Sequence, residues 1–543
     1  MSEARVAEAA SERASSRREI ISRDPKTGEE LGRVPVATES EVQHAVERAR
    51  GAWQAWAARS VADRARVLLR ARRLALDRLD DLARLIARES GKPFSEAIAM
   101  DLVPSLDLLN YFARHAERLL RDEPLPIGHY TLLGRASRIA YRPLGTIGII
   151  SPWNFPWSIP VGQVATALVA GNAVILKPSE LTPLTGLAIG HLFTQAGVPD
   201  GVLQVVTGDG TTGAALVTSG VAKIVFTGSV ETGRRVAEAA ARCLTPVVLE
   251  LGGKDAMIVL ADADLDKAAA AAVWGAFANA GQACASVERC YVHESIAEEF
   301  LRRVVEETAK LSVGEGDGVD IGAMASEKQL TVVEEHVRDA LARGAHVLAG
   351  GQRIARGAGL FYAPTVLANV DHSMLVMREE TFGPVLPVMT FRTEAEAIEL
   401  ANDSMYGLTA SIWTSDVRRG RALASELRVG TVMINEVLYT HAIAQAPWGG
   451  VRCSGWGRTH GRLGLLEMVA PQHVHANRLT LLRDPWWYSY TPRARELFRR
   501  LAHHFTDGSL IGLVWLVPSL AKRWRETRPL RKVRKGTSNR RER

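Results

Sequence analysis

The sequence predicts an α/β protein with two domains, each built on a largely parallel sheet, and a cleft between them. Continuous apolar runs of strand length alternate with helical patterns from Gly145 onward, at residues 146–150, 173–176, 203–206 and 223–226. The series continues on either side of Gly252, at residues 247–249, 257–260 and 431–434. Buried strands joined by helical crossovers indicate a parallel sheet covered on both faces.

The composition is that of an ordinary globular chain. Its 543 residues include 47% apolar and 23% charged side chains, enough for two or three domains with a large core. The formal charge is +7, but residues 521–543 contain eleven Lys or Arg and two Glu, so this tail carries +9 and the remainder −2. A protein-wide basic surface for nucleic acid is therefore not indicated.

Cysteine usage and hydropathy predict a cytoplasmic protein. The four cysteines form no CxxC or Cys/His zinc spacing, which indicates a reducing compartment and no metal site. The first twenty residues lack an apolar core, so no signal peptide is expected. No uncharged apolar run reaches the ~18 residues that a membrane-spanning helix needs.

Before the first core strand, the chain is predicted to be mainly helical. Residues 1–18 are predicted to form a disordered tail, and 20–36 a hairpin. Helices are predicted over 38–59, 61–90 and 94–120, with a break at Lys92-Pro93. The alternating segment 130–141 is predicted to be extended, and such a strand could leave its own domain and pair with another subunit.

Cys284 is the candidate nucleophile. It lies in the stretch 279–286, between a helical run at 265–278 and a strand-like run at 289–292. A thiol at such a junction can face the mouth of a cleft, and its thiolate is a strong nucleophile near neutral pH. The alternative is a buried structural cysteine, which is the commoner fate of an isolated one.

Two polar residues at strand ends could serve the same chemistry. Asn154 follows the strand 146–150 between two prolines, and a rigid amide there could stabilise an oxyanion. Glu250 ends another strand between leucines, where a raised pKa would suit a general base. The alternatives are a turn-forming Asn and a Glu paired with Lys254.

Further strand ends suggest a dinucleotide site. Lys177 and Glu180 could hold ribose hydroxyls, and the Glu180 carboxylate would repel a 2′-phosphate, which favours NAD over NADP. The alternative is an exposed ion pair. Gly208 and Gly213 fit G-x-G-x-x-G, although Glu231, the nearby acid, does not suit the ribose role.

A second glycine junction, Thr227-Gly228-Ser229, precedes a predicted helix at 231–241 whose N-terminus could bind a pyrophosphate. Either glycine set could instead simply form a tight turn. Glu380 stands beside the rigid Phe382-Gly383-Pro384 loop and could hold a second ribose.

Residues 20 to about 480 resemble the NAD(P)-dependent aldehyde dehydrogenase superfamily. The motifs that carry the resemblance occur in the family's order and approximate spacing, and a later loop, Ser454-Gly455-Trp456-Gly457-Arg458, is also similar. The motifs are Trp153-Asn154-Phe155-Pro156, Lys177-Pro178-Ser179-Glu180, Phe226-Thr227-Gly228-Ser229, Glu250-Leu251-Gly252-Gly253-Lys254, Gly281-Gln282-Ala283-Cys284 and Glu380-Thr381-Phe382-Gly383-Pro384.

The resemblance implies an aldehyde-dehydrogenase-like α/β fold with a Rossmann-type cofactor domain, an α/β catalytic domain and a β oligomerisation arm. The cofactor domain would comprise 19–122 and 143–252, and the catalytic domain 253–453. The arm would comprise 123–142 and 469–481, which implies a homodimer or homotetramer.

The resemblance also implies roles for individual residues. Cys284 would be the nucleophile, Glu250 the general base, and Asn154 with the Cys284 N–H the oxyanion hole. NAD, or alternatively NADP, would accept hydride from the Cys-bound thiohemiacetal, and water would hydrolyse the resulting thioester. Cofactor-binding residues would be Trp153, Lys177, Glu180, Gly208, Gly213, Thr227, Gly228, Ser229, Glu380 and Phe382.

Substrate preference is predicted from the residues after Asn154. Relatives that prefer succinic semialdehyde place an Arg where this chain has Gly162, and nearby residues are apolar: Trp157, Ile159, Val161, Trp274 and Phe277. An uncharged aliphatic or aromatic aldehyde is therefore expected. The alternatives are a succinic-semialdehyde-type enzyme, an enzyme that transfers the acyl group to coenzyme A, and a non-catalytic scaffold.

The C-terminal extension, 482–543, lies beyond the resemblance. It contains an aromatic cluster at 484–488, a basic helical pattern at 491–505, an apolar run at 509–520 interrupted by Pro518, and the +9 tail. These features suit peripheral contact through 484–543 with the inner face of a membrane. The alternative is a helical extension with a disordered basic end, and nucleic acid is a less favoured target.

Overall fold

The computed structural model describes residues 18–131, 133–316, 318–479, 483–507 and 510–526. The predicted tail at 1–18 lies outside these ranges except for Arg18, as does most of the +9 tail. The described residues divide into two compact units. The first comprises the residues up to Leu120 together with Arg142–Ala470, and the second comprises Arg121–Tyr141 together with the residues from Pro471.

The strands, numbered in chain order, are β1 (Glu19–Arg23), β2 (Glu30–Pro35), β3 (Glu123–Leu125), β4 (Arg135–Pro143), β5 (Thr146–Ile150), β6 (Ala173–Lys177), β7 (Leu203–Val205), β8 (Lys223–Thr227), β9 (Val247–Glu250), β10 (Asp255–Val259), β11 (Val287–His293), β12 (His346–Ala349), β13 (Arg353–Ile354), β14 (Phe361–Tyr362), β15 (Thr365–Ala368), β16 (Val385–Phe391), β17 (Thr409–Trp413), β18 (Thr431–Ile434), β19 (Gly455–Trp456) and β20 (Val469–Asn477).

The helices are α1 (Glu39–Ala57), α2 (Val61–Asp77), α3 (Leu79–Ser90), α4 (Phe94–Glu96), α5 (Val103–Leu119), α6 (Ser158–Ala170), α7 (Pro183–Gln195), α8 (Gly210–Thr218), α9 (Val230–Arg242), α10 (Leu265–Phe277), α11 (Ala297–Ala309), α12 (Glu327–Ala342), α13 (Leu375–Arg378), α14 (Glu394–Asn402), α15 (Val417–Ala424), α16 (Gly461–Leu466), α17 (Pro492–Asp507) and α18 (Leu510–Glu526). A π-helical segment, Ala97–Leu102, joins α4 to α5.

Two parallel sheets form the first unit and confirm the predicted fold class. One has the order β19-β9-β8-β5-β6-β7, in which β19 alone is antiparallel to its neighbour. The other has the order β12-β15-β16-β11-β10-β17-β18, in which β12 is the antiparallel edge. The core strands β5, β6 and β10 are buried along their whole length, as their apolar sequences require.

The chain passes from one sheet to the other at Glu250, where β9 ends, and Asp255, where β10 begins. Ligands of open α/β sheets bind beyond the carboxyl ends of their strands. Loops with candidate residues follow β5, β6, β8 and β9, so the first sheet brings these candidates to one edge.

The second unit contains the segments predicted to form the arm. A three-stranded sheet has the order β20-β4-β3, and a helical hairpin of α17 and α18 follows it in sequence. Leu497, Leu516 and Leu520 form a small buried cluster between the two helices. The helix α18 continues through Pro518, the residue that interrupts the apolar run. None of the helices in the described ranges has the length and apolar content that crossing a bilayer requires.

Candidate active site

The loop that presents Cys284 turns sharply after α10. Asn279 and Ala280 both have positive φ angles, 56° and 54°, and Gly281 follows at φ +70°. A Cβ on Gly281 would lie 2.1 Å from the Gly383 oxygen, so the loop requires glycine there. The turn places Cys284, which is partly accessible, between α10 and β11.

Asn154 lies against this loop. Its side chain is buried, and its Nδ2 donates to the Gln282 oxygen at 3.1 Å. The Asn154 backbone oxygen accepts from Asn279 Nδ2 at 3.0 Å, and Asn279 Nδ2 also donates to the Gln282 oxygen at 3.0 Å. The predicted oxyanion amide is thus hydrogen-bonded two residues from the predicted nucleophile.

A buried ion pair supports Asn154 from the other side. Lys92 Nζ donates to Asp101 Oδ2 at 2.6 Å and to the Asn154 backbone oxygen at 2.8 Å, and both charged side chains are fully buried. Asp101 Oδ1 accepts from the N–H groups of Trp157 and Ser158 at 3.1 and 3.0 Å. Sequence reasoning missed this pair because Lys92-Pro93 indicated only a helix break.

Glu250 is buried at the end of β9. Burial raises the pKa of its carboxyl well above the usual value, and the nearby Arg458 and Thr459 oppose that shift only in part. Its oxygens make no well-formed hydrogen bond to any described residue. The alternative partner, Lys254, instead donates to Glu288 Oε2 at 2.6 Å, so the alternative in which Glu250 pairs with Lys254 is wrong.

Glu250 and Cys284 line one cavity, hereafter the rear chamber. Burial, followed by the charges of Asp255, Glu380 and Glu250, raises the pKa of the Cys284 thiol. The resting thiol is therefore protonated, and a base must remove its proton before it can attack a carbonyl. Glu250 is a carboxylate in the same cavity that can accept it.

The second cavity at Cys284 is an apolar groove. Its walls include Met100, Phe155, Ile159, Trp274, Leu438 and Tyr439. Asp, Glu, Lys and Arg are missing from its described lining, and its one histidine, His441, has a pKa lowered by burial to about 4. The groove is therefore uncharged at neutral pH.

The structure separates the residues that the sequence grouped as substrate neighbours. Ile159 and Trp274 line the groove. Gly162 lies at the rear chamber and packs on Leu108. The other three, Trp157, Val161 and Phe277, are buried core residues. The wall of the groove also includes residues from the π-helical segment and from 438–442, which sequence reasoning did not identify because they are distant in the chain.

At the end of β6, Lys177 and Glu180 form an ion pair at 3.4 Å, with Lys177 buried and Glu180 exposed. Burial lowers the pKa of Lys177, and Glu180 partly opposes that shift. A buried ammonium and an exposed carboxylate beside each other can donate to and accept from ribose hydroxyls. These two side chains therefore fit the ribose role that the sequence suggested.

The two glycine junctions are both helix starts. Gly208 precedes α8, where the Asp209 side chain accepts from Thr211 N, and Gly213 is buried within that helix. Thr227 ends β8, and Gly228 leads to Ser229, whose side chain accepts from Thr232 N at the start of α9. The N–H groups of the first turn of α9 can bind a pyrophosphate.

Glu380 is half-buried against the turn that leaves Glu250. Its Oε1 accepts from Gly253 N at 3.0 Å, and a Cβ on Gly252 would lie 2.2 Å from its Oε2. Burial, followed by the charge of Glu288, raises the pKa of Glu380 to about 8. The ring of Phe382 meets that of Trp153 edge to face at 5.4 Å between centroids, so these two predicted cofactor residues contact each other.

The sequence model of the aldehyde dehydrogenase family matches residues 12–474 of this chain. The chain belongs to the aldehyde dehydrogenase family. The enzyme is thus an oxidoreductase that oxidises aldehydes with a nicotinamide dinucleotide as acceptor.

Curated relatives and solved structures are similar over most of their length. A 4,4'-diapolycopene aldehyde oxidase from a Methylomonas species is 44% identical over 480 residues, covering 88% of this chain and 90% of that protein. A Mycobacterium tuberculosis protein, provisionally named a succinate-semialdehyde dehydrogenase of NADP(+) type, is 40% identical over 486 residues, with coverages of 87% and 93%.

The NAD-dependent aldehyde dehydrogenase of Sinorhizobium meliloti is 38% identical with a TM-score of 0.83, covering 87% of this chain and 93% of that one. An aldehyde dehydrogenase of Mycobacterium tuberculosis, solved with NAD+, is 37% identical with a TM-score of 0.80 and coverages of 84% and 94%.

Proposed function

We propose that the enzyme oxidises uncharged, medium-to-long apolar aldehydes to carboxylic acids, with Cys284 as nucleophile. The observation that carries this proposal is the apolar groove, which reaches Cys284 and lacks a charged side chain in its described lining. A carboxylate at the far end of a semialdehyde would lose its hydration there without gaining a cationic partner. A long hydrocarbon chain would instead bury apolar surface.

In the first half-reaction, Glu250 accepts the thiol proton and the Cys284 sulfur attacks the aldehyde carbon. Asn154 Nδ2 then donates to the developing oxyanion instead of to the Gln282 oxygen, and the Cys284 N–H is a second donor. A bound nicotinamide dinucleotide would supply the hydride acceptor, and loss of hydride from the Cys284 adduct would leave a thioester on Cys284. In the second half, Glu250 takes a proton from the water that hydrolyses this thioester.

The residues proposed to hold the dinucleotide lie at the carboxyl ends of β6 and β8 and around Glu380. Lys177 and Glu180 would bind one ribose, and Glu380 the other. Gly228 and Ser229 would admit the pyrophosphate to the N-terminus of α9, with Thr227 beside them. Gly208 and Gly213 would shape the adenine side, and the Trp153 and Phe382 rings would contact the cofactor.

A panel of aldehydes tests the substrate proposal. We expect kcat/KM to rise from propanal through hexanal to decanal, since each buried methylene contributes about 0.8 kcal/mol. Succinic semialdehyde is expected to be the poorest substrate of the set. A kcat/KM for succinic semialdehyde above that for hexanal would favour the role named for the mycobacterial relative and overturn the proposal.

For the second unit, we propose pairing with another copy through the three-stranded sheet. The strand β20 lies at one edge of that sheet and has nine residues, most of them exposed or half-buried. A long edge strand is a ready site for pairing with another chain. Light scattering should give two or four times the 59.1 kDa chain mass, whereas a monomer at micromolar concentration would contradict this proposal.

A specific set of side chains also supports contact between the C-terminal extension and an anionic membrane surface. Exposed aromatic and aliphatic side chains occur on the extension at Trp487, Tyr488, Tyr490, Phe505, Val514 and Val517. The +9 tail follows α18 in sequence. Apolar side chains beside a basic segment are typical of interfacial anchors.

Sedimentation with vesicles tests this contact. The full-length enzyme is expected to bind phosphatidylglycerol-containing vesicles, less so as salt increases, and the double substitution Trp487→Ser with Val514→Ser should weaken that binding. Leu244→Ser is a matched control, because Leu244 is 89% exposed but lies in the first unit. Equal binding of wild type and the double variant would reject the anchor.

A further inference from the structure

The rear chamber contains three buried polar atoms that have no hydrogen-bond partner among the described residues. They are Oε1 and Oε2 of Glu250 and Oε1 of Gln163, and both side chains line this cavity. Buried polar atoms are usually satisfied by protein groups or by ordered water. Three unpartnered acceptors around one cavity therefore mark a place for water.

Gln163 contacts the end of β8 through its amide nitrogen. Gln163 lies in α6, where every residue is buried, and its Nε2 donates to Thr227 Oγ1 at 2.9 Å. With the nitrogen committed to Thr227 at the end of β8, the amide oxygen is the group left to accept from a water. A long amide in a largely apolar helix had no evident role from the sequence.

The rear chamber and the apolar groove meet at Cys284. The apolar groove and the rear chamber share only four lining residues: Ile159, Cys284, His441 and Trp448. A long acyl chain on Cys284 would fill the groove and exclude water from that side. Water that attacks the thioester must then come from another side, and the rear chamber holds both Glu250 and Gln163.

We propose that Gln163 is a catalytic residue for deacylation, in which it holds the hydrolytic water together with Glu250. The proposal rests on the roles proposed above for Cys284 and Glu250. The water donates one hydrogen to Gln163 Oε1 and the other to the Glu250 carboxylate. These two bonds direct an oxygen lone pair of the water toward the thioester carbon.

The step balances without a further reactant. The proton that Glu250 took from the thiol leaves to solvent before the water reacts. The water oxygen then bonds to the carbonyl carbon while Glu250 takes its proton, and the C–S bond breaks with its electron pair on Cys284. Glu250 returns that proton to the thiolate, and the acid product departs. Gln163 keeps all of its protons, and no electron is transferred in this step.

Rapid-mixing kinetics of Gln163→Met tests the role, because Met has similar length but cannot replace the amide oxygen. We expect a full NADH burst of one equivalent per active site, followed by a steady-state rate reduced about 100-fold. Intact mass spectrometry should show the enzyme plus one acyl group during turnover. The burst amplitude counts competent sites, so partial misfolding cannot imitate this result.

Two variants serve as comparisons. Gln163→Glu keeps an acceptor oxygen, so it should recover part of the deacylation rate. Its pH–rate profile should shift to higher pH, because a second carboxyl beside Glu250 raises the pKa of the pair. Gln204→Met is the matched control: Gln204 donates to the Ala45 oxygen at 2.7 Å and does not line the chamber, so its burst and steady-state rates should equal those of wild type.

The possible failures are distinguishable. If Cys284→Ala retained aldehyde oxidation, the proposed function itself would be wrong. If Cys284 is essential but Gln163→Met shows neither a burst nor an accumulated thioester, only the inference about Gln163 is overturned. A slower burst with a raised KM for NAD would also overturn it, since Gln163 would then act on the cofactor.

Discussion

Lys92 Nζ lies 2.8 Å from the backbone oxygen of Asn154, so a buried ammonium anchors the residue proposed to stabilise the oxyanion. The same ammonium is 2.6 Å from the Asp101 carboxylate. Asp101 in turn accepts from the first N–H groups of α6, the helix that contains Gln163. The pair thus connects the turn after α3, the Asn154 loop and α6.

Substituting Lys92 by Met should cost both stability and catalysis. Breaking a buried pair leaves one uncompensated charge, and the loss is typically about 3–5 kcal/mol. The double variant Lys92→Met with Asp101→Asn should recover most of that stability, but not kcat, because the Asn154 oxygen still lacks its ammonium donor. Denaturant unfolding and steady-state kinetics measure the two effects, and full recovery of kcat in the double variant would contradict a positioning role.

Replacing Glu250 by Gln should slow both half-reactions. Glutamine can accept a proton neither from the Cys284 thiol nor from water, so the NADH burst and the steady-state rate should both fall, and loss of a general base typically costs about 100- to 10,000-fold. In the wild type the raised pKa of Glu250 predicts that kcat falls as pH drops below that raised value. Full steady-state turnover by Glu250→Gln, without accumulated thioester, would show that the base is another group.

The carboxyl of Glu96, which is hydrogen-bonded to Asn279, should make the stability of the fold depend on pH. Glu96 Oε1 accepts from Asn279 N at 2.9 Å, and burial raises the pKa of Glu96 from 4.5 to about 7. Because the folded pKa exceeds the unfolded one, this contribution to stability is complete below pH 4.5 and is lost as pH rises through about 7.

The free energy of unfolding of Glu96→Gln should therefore match that of the wild type near pH 4.5 and exceed it at pH 8. The difference should approach about 3 kcal/mol, since each pKa unit corresponds to 1.36 kcal/mol. Urea unfolding at the two pH values measures it. Parallel stability profiles for the two proteins would rule out Glu96 as the source.

A cation placed in the groove should reverse the substrate preference. Met100 lines the groove and has nearly the length of Arg. We expect Met100→Arg to raise kcat/KM for succinic semialdehyde and lower it for decanal, because the carboxylate gains a charged partner. Met100→Gln, a polar but uncharged control, should lower kcat/KM for decanal without raising kcat/KM for succinic semialdehyde. If Met100→Arg left the ratio of the two kcat/KM values unchanged, the carboxylate of succinic semialdehyde would not lie near position 100.

The sequence alone predicted the parallel sheets, because continuous apolar strands between helices have few other solutions. It also identified Cys284 and Glu250, which the structure places at one cavity. Lys92, Asp101 and Gln163 were beyond its reach for a physical reason. Each of the three has a hydrogen-bond partner more than fifty residues away: Asn154 for Lys92, Trp157 for Asp101 and Thr227 for Gln163. Local sequence spacing carries no information about such contacts.

The π-helical segment Ala97–Leu102 gives consecutive residues two different tasks: Met100 borders the groove, and Asp101 holds Lys92. Removing one residue there would replace the wide π-helical turn by an ordinary turn of 3.6 residues. Met100 and Asp101 could then no longer both keep their present directions. The number of residues in this segment should therefore tolerate much less change than the identity of the side chain at position 100. Substrate range could then diversify by substitution but not by deletion.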